Sequence, residues 1–373
     1  MRLSKIRAGW LVAGMSVIAV LVVLALSAVI IATTGGSPYG SLKAVLQGSV
    51  GSQASLSDTL LNATPLLVVA VGSCICARAG EFNIGQEGQV LIGAMAAARV
   101  CLKLNLVGPV LLVLALVVAA LAGGVWASLS SLMKRIAGVN VVVSTLLMTF
   151  VAQQLVTFAV NKSWFLQEQQ VGSYSTPSPE SDLIPGNSVL GSLGHYPNLQ
   201  LNLGLFIALG LTVIVALMLA RSRWGFRLKM LGMSKAAARH AGVRVAGLSA
   251  LALAITGGFA GLAGAFLVTS PVGNFRFQPG TSDNFGWDGL LVALVARNRP
   301  WACIPFALLF GILRSGGNFI SATGVPSYIV DVVKALLVLA FVAPPALVSA
   351  LQRRMAVVRT ITPAAPVLEG AAA

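Results

Sequence analysis

Apolar residues in this chain run on without interruption, and polar residues gather between the runs. Residues 8–32, 59–77, 104–133, 139–160, 199–220 and 245–272 carry no charged side chain. Each reaches or approaches the ~20 residues that a helix needs to cross the hydrocarbon core of a bilayer. A barrel strand would instead alternate lipid-facing with lumen-facing positions over about ten residues, so continuous apolarity predicts helices. Three further spans are defective. Residues 82–98 open with Asn83, Gln86, Glu87 and Gln89 and become fully apolar only from Val90. Residues 285–296 include Asp288, and that run and residues 301–313 are too short for ordinary crossings, so something other than lipid must surround them. With a last span containing Asp331 and Lys334, the pattern predicts an all-α polytopic membrane protein of about ten transmembrane helices.

The defective spans resemble one another. Gly85-Gln86-Glu87-Gly88 ahead of an apolar run recurs as Gly286-Trp287-Asp288-Gly289 ahead of another. Gly138-Val139-Asn140 and Gly324-Val325-Pro326 follow them in the same order. With spans alternating in direction, the earlier copies run inside to outside and the later ones outside to inside. That is the signature of an inverted repeat, in which interrupted helices at matching places point to a midplane transport site.

Composition and charge narrow the class. The chain is 57% hydrophobic and 9% charged, far from the roughly one-quarter charged content of soluble domains. A net charge of +15 would suit nucleic acid if it formed one surface, but it does not. Alternating sides from Arg2, Lys5 and Arg7, the inner segments collect Arg78, Lys134 and Arg135. They also collect Arg221, Arg223, Arg227, Lys229, Lys235, Arg239, Arg244, Arg297, Arg299, Arg353, Arg354 and Arg359. The outer segments hold Lys43, Arg99, Lys103, Lys162, Arg276 and Arg314. Such an excess orients helices with the basic loops in the cytoplasm, so both termini are expected there and the partner is the bilayer, not nucleic acid. The run after Arg7 is too long for a signal-peptide core and reads as a retained helix.

The domain reading is an N-terminal helix and outer loop (1–55), a permease-like core (56–348) and a disordered tail (349–373). Within the core lie a polar outer segment (161–200), expected as loop or short helices, and a basic inner segment (221–246). Cys74, Cys76, Cys101 and Cys303 lack metal-site spacing and are expected to be buried. The glycine run from Gly257 to Gly264 reads as helix packing.

Candidate chemistry is sparse. Glu81, Glu87, Asp288 and Asp331 fall within or at the edges of spans, where an ionisable group costs at least ~2.5–3.5 kcal/mol without a partner or water. Glu87 and Asp288 could cap helix starts or could face a polar pathway. Asn83, Glu87, Gln89, Asn140, Asn284, Trp287 and Asp288 are the candidate pathway residues. Asp331 and Lys334 read as a local pair. None of the eight lysines follows a glycine, so the chain lacks a P-loop. His195 and His240, the two histidines, have no clear catalytic partner. No enzymatic activity, cofactor or metal site is expected of this chain. Residues 234–242 combine an N-cap serine, helix formers and a terminal glycine, which predicts a short exposed helix. That helix is either a solvated basic loop or a docking element for a cytoplasmic partner.

Four motifs, Phe82-Asn83-Ile84-Gly85-Gln86-Glu87-Gly88-Gln89, Ala236-Ala237-Ala238-Arg239-His240-Ala241-Gly242-Val243, Phe285-Gly286-Trp287-Asp288-Gly289 and Leu313-Arg314-Ser315-Gly316-Gly317, resemble the bacterial simple-sugar and nucleoside ABC transporter permeases. These belong to a wider group that includes branched-chain amino acid permeases. The resemblance covers about residues 56–348. It implies an inner-membrane permease paired with a second, identical or homologous, permease subunit. It also implies cytoplasmic ABC ATPases that carry the ATP and Mg, and an extracytoplasmic binding lipoprotein that largely sets specificity. Ser234, Lys235, Ala237, Ala238, Arg239 and Gly242 then become the ATPase-coupling residues. The chain departs from the family in Lys235, where Glu is frequent, in His240, where Tyr is frequent, and in Ala296, where Gly is usual. The alternative on the residues alone is an ion-coupled secondary transporter using Glu87 and Asp288.

Overall fold

A segment inside hydrocarbon must satisfy its backbone within itself, and the apolar runs do so as helices. The computed structural model describes residues 2–169, 178–193, 201–320, 325–326 and 328–361, and the chain forms two units. The first unit joins residues up to Pro38 with those from Tyr328 onward. Its helices α1 (Arg2–Thr33) and α13 (Tyr328–Ile361) pack on each other. Lys334 Nζ lies 2.7 Å from Asp331 Oδ1, the pair expected from their spacing. The disordered tail expected from residue 349 is corrected in part, since α13 continues to Ile361. Ala350, Leu351, Gln352, Arg353, Arg354 and Met355 are strong helix formers, which extends the last span beyond its apolar stretch. Residues 362–373 lie outside the described residues.

The second unit runs from Tyr39 to Ser327. It contains α2 (Pro38–Val50), α3 (Gln53–Arg78), α4 (Gln86–Lys103), α5 (Gly108–Ala137), α6 (Val141–Val160) and α7 (Leu203–Arg221). After these come α8 (Arg223–Met233), α9 (Lys235–His240), α10 (Val245–Val268), α11 (Phe285–Val295) and α12 (Pro300–Ile320). Among the described residues seven helices are long and apolar enough to span a membrane by length and composition: α1 from Gly14, α3, α5, α6, α7, α10 and α12.

The packing of α5 shows how a wholly apolar helix acquires sides. Leu111, Ala115, Ala119, Gly123 and Ala127 recur every four residues and are buried, whereas Val110, Val113, Val117, Leu121 and Val125 are exposed. Small residues therefore face the bundle and bulky ones face outward, as expected where lipid rather than water surrounds a helix. At the centre α10 lies against α4 and α5. A Cβ on Gly261 would stand 2.2 Å from the Ala119 carbonyl oxygen, so glycine is what allows these backbones their close approach. The Gly257–Gly264 run is packing, as its spacing suggests.

The four cysteines are buried and free, with Cys74 and Cys303 sulfurs 3.6 Å apart. The expected short span at 301–313 is corrected: α12 continues through Arg314 to Ile320. Its polar residues are tolerated because the Ser315 hydroxyl donates to the Gly48 carbonyl at 3.1 Å and Arg314 is held by two carboxylates. The described part of the outer segment is loop with one 3₁₀ turn (Gly186–Ser188) and a two-residue strand, Ser192–Leu193, that pairs with Leu201–Asn202 just beyond it. It is pinned to the connection after α10 by Arg276, 3.1 Å from Glu180 and bonded also to Glu168. That pairing, led by the Glu168 hydrogen bond, raises the Arg276 pKa further. His195 lies outside the described residues.

Candidate translocation site and coupling face

The two Gly-x-acid-Gly motifs meet. Each opens a helix, α4 at Gln86 and α11 at Phe285, and the two helix starts abut so closely that a Cβ on Gly286 would stand 2.3 Å from the Glu87 nitrogen. Asn284 sits at the N-cap of α11 in the left-handed region, φ +65°, and its side chain makes no capping bond. Asparagine is one of the few residues that adopt this conformation readily. Glu87 caps the helix in its place: the Asn284 amide donates to Oε1 at 3.1 Å and the Gly286 amide to Oε2 at 2.8 Å. A carboxylate at a helix N-terminus meets unsatisfied amides and the positive end of the helix dipole.

The Asn83 and Gln89 carboxamides and the Trp287 indole find partners within the two motifs. Asn83 and Gln89 exchange carboxamide hydrogen bonds of 2.8 and 3.0 Å, and Asn83 Oδ1 also accepts from the Gly85 amide. The Trp287 indole donates to the Ile84 carbonyl at 3.3 Å, a second tie between the motifs. Asp288 does not mirror Glu87. Its Oδ2 lies 3.2 Å from Arg314 of α12, which also grips Asp283 and stacks 3.8 Å over the Phe285 ring. Asn83, Glu87, Gln89 and Asp288 are buried, Trp287 is half-buried and Asn284 is exposed. The structure places these six residues on the two abutting motifs and the links just ahead of their helices. Asn140 stands apart: it is exposed and N-caps α6, accepting from the Val142 amide at 2.8 Å.

At the basic end of the same unit a second cluster forms around Glu81, in the link between α3 and α4. Its carboxylate accepts from Lys134 at 3.0 and 3.1 Å, from Lys235 at 2.9 Å and from the Ser249 hydroxyl at 3.3 Å. Burial pushes the Glu81 carboxyl up, but the bonds from Lys235 and Lys134 outweigh it and hold its pKa below the usual carboxylate range. A cavity of ≈ 840 Å³ opens beside it, lined by Arg135, Arg239 and Arg244 among others. The expected short helix is α9, with Ser234 Oγ accepting from the Ala237 amide at 3.2 Å and Gly242 at φ +78°. Ser234, Lys235, Ala237, Arg239 and Gly242 are exposed, but Ala238 is buried. Sequence reading singled out Glu81 as a span-edge acid but not as a hub, because its partners lie 53 and 154 residues away.

Residues 55–342 match the family described as branched-chain amino acid transport system / permease component, and the chain belongs to that family. It is 29% identical to the glucose ABC transporter permease protein TsgB13 of Haloferax volcanii over 88% of this chain and 87% of that one. It is 31% identical to the guanosine ABC transporter permease protein NupP of Bacillus subtilis, over 87% and 91% respectively. Identity to the nucleoside ABC transporter permease protein NupB of Lactococcus lactis subsp. cremoris is 26%, over 84% and 86%. No solved structure matches the chain. The chain is a multi-pass membrane protein of an ABC permease family.

Proposed function

We propose that this chain is the pathway-forming permease subunit of an ATP-driven importer for nucleosides or related simple sugars. Family membership carries the reading, supported by relatives that span nearly their whole length. The seven long helices together with α4, α11 and α13 make ten crossings, an inner-membrane arrangement with both termini cytoplasmic. At ~1.5 Å per residue α11 is about 16 Å long, half of a ~30 Å hydrocarbon core. Two interrupted helices meeting start to start support an inverted repeat with the solute path at their junction. Asn83, Glu87, Gln89, Asn284, Trp287 and Asp288 are its polar wall. The exposed side of α9, from Ser234 to Gly242, docks a cytoplasmic ATPase that binds ATP and Mg. A second permease subunit and an extracytoplasmic binding lipoprotein complete the assembly.

The test is uptake into proteoliposomes holding the full complex. Nucleoside accumulation should require ATP and survive an uncoupler. Accumulation that persists without ATP and collapses with the uncoupler would instead establish an ion-coupled carrier.

A further inference from the structure

The Glu87 junction is closed, but a polar cavity of ≈ 430 Å³ opens at the other end of the second unit from Glu81. Asp58 and Asn62 of α3, Gln278 and Thr281 of the connection into α11, and Arg314 and Asn318 of α12 face one another across it. We propose that this cavity is a solute site within the permease chain itself, selective for a neutral polyhydroxylated molecule such as ribose or a nucleoside, with Arg314 as its movable floor. The inference rests on the permease reading above and assigns to this chain part of the selectivity otherwise expected of a binding protein.

Size and chemistry agree. The volume falls within the roughly 300–1,000 Å³ of small-molecule sites. Carboxamides supply two donors and an acceptor each, and hydroxyls supply both, a set that complements several sugar hydroxyls at once. Charge disfavours anionic solutes. Among the described residues that line it, Arg314 is the sole cation, and it is already held by Asp283 and Asp288. A phosphate or a lone carboxylate therefore meets Asp58 and Asp283 with no free cation among the described lining residues to receive it.

The floor is unevenly fastened. The Asp283 side chain is 74% exposed whereas that of Asp288 is 9% exposed, so the solvent-side half of the clamp is the weaker one. A diol that bonds Asp283 competes for Arg314 at that half. The released backbone is the stretch whose Asn284 and Gly286 amides rest on Glu87. Occupancy of the cavity is thereby coupled to the junction beneath it.

Asn318→Cys tests the site, with Asn62→Cys as the second position; the native cysteines are all buried and leave little background. The full-length chain in proteoliposomes is labelled with a water-soluble maleimide in the presence of ribose, adenosine, ribose 5-phosphate or isoleucine. Ribose or adenosine at ~10 times its Kd should slow labelling about tenfold by mass action, and Gln278→Ala should diminish that protection. Equal protection by isoleucine or ribose 5-phosphate, protection by none, or no labelling at either position overturns the proposal. ATP-driven uptake without protection sinks this site and leaves the permease reading intact. Protection without ATP-driven uptake sinks that reading and leaves a polyol site.

Discussion

Glu87 bonds the amides of a helix that begins nearly two hundred residues after it. The sequence offers two roles for this carboxylate, cap of a helix start or wall of a pathway, and in the structure it bonds the first amides of α11. The residue was legible because a buried acid needs a partner. The partner was not, because nothing local encodes which helix start lies opposite. Glu87→Ala leaves two amide donors with no acceptor, at about 1–3 kcal/mol each, and should lower the thermal midpoint and the yield of folded protein. Glu87→Gln retains one acceptor and should preserve yield while cutting uptake severalfold, as should Asp288→Asn, which weakens the hold of Arg314. Normal uptake in both conservative variants would make the junction a structural staple only.

Glu81 gives a residue-scale pH dependence. Its folded pKa is depressed, so the stability it contributes is fully present above the ordinary glutamate value of 4.5 and is lost as pH falls through the lower folded value. Thermal midpoints of the wild type and Glu81→Gln should therefore differ at pH 7 and draw together as acidification below 4.5 carries the pH through the lower folded value. A gap that does not close on acidification assigns the effect to shape rather than charge.

At the scale of elements, α9 was legible because serine, a helix-forming core and glycine are all local signals. Its neighbour α8 went unread, although Ser222 caps it through the Gly225 amide at 2.9 Å and Gly225, Leu228 and Leu231 recur every three residues on its buried side. The burial of Ala238 divides what sequence alone treats as one docking face. Ala237→Glu places a charge on the exposed side, and should leave the protein inserted while uncoupling ATP hydrolysis from uptake. Ala238→Glu forces a carboxylate into a packed position and should reduce folded yield outright. Unchanged coupling with Ala237→Glu, with ATPase co-purification also unchanged, would remove docking from α9.

At the scale of the molecule, the question is which helices cross. Hydropathy and length alone mark seven among the described residues, an odd number that would put the two termini on opposite sides. The second unit contains its own argument for more. Glu81, just past the end of α3, is bonded to Lys134 at the end of α5, whereas Arg99, near the end of α4, donates to the Phe165 carbonyl beyond the end of α6 at 2.7 Å. Helix α5 runs back from the Phe165 end to the Lys134 end, because its first residue, Gly108, abuts Asn187 of the outer segment. Thus the stretch from Glu81 to the end of α4 traverses the unit, although the first turn of α4 is polar. Likewise α11 begins beside Arg314 and is followed by Asn298, which lines a small space with Glu81. If α4, α11 and α13 all cross, the number is even and tags at the two termini should be accessible from the same, cytoplasmic, side. Single cysteines at the exposed positions Leu106 and Lys162 should react only from outside, and those at Ile136 and Met233 only from inside, in vesicles of known orientation. Termini on opposite sides, or Leu106 and Ile136 reactive from one side, would return α4 or its partners to the status of buried half-helices and remove the inverted repeat proposed for this chain.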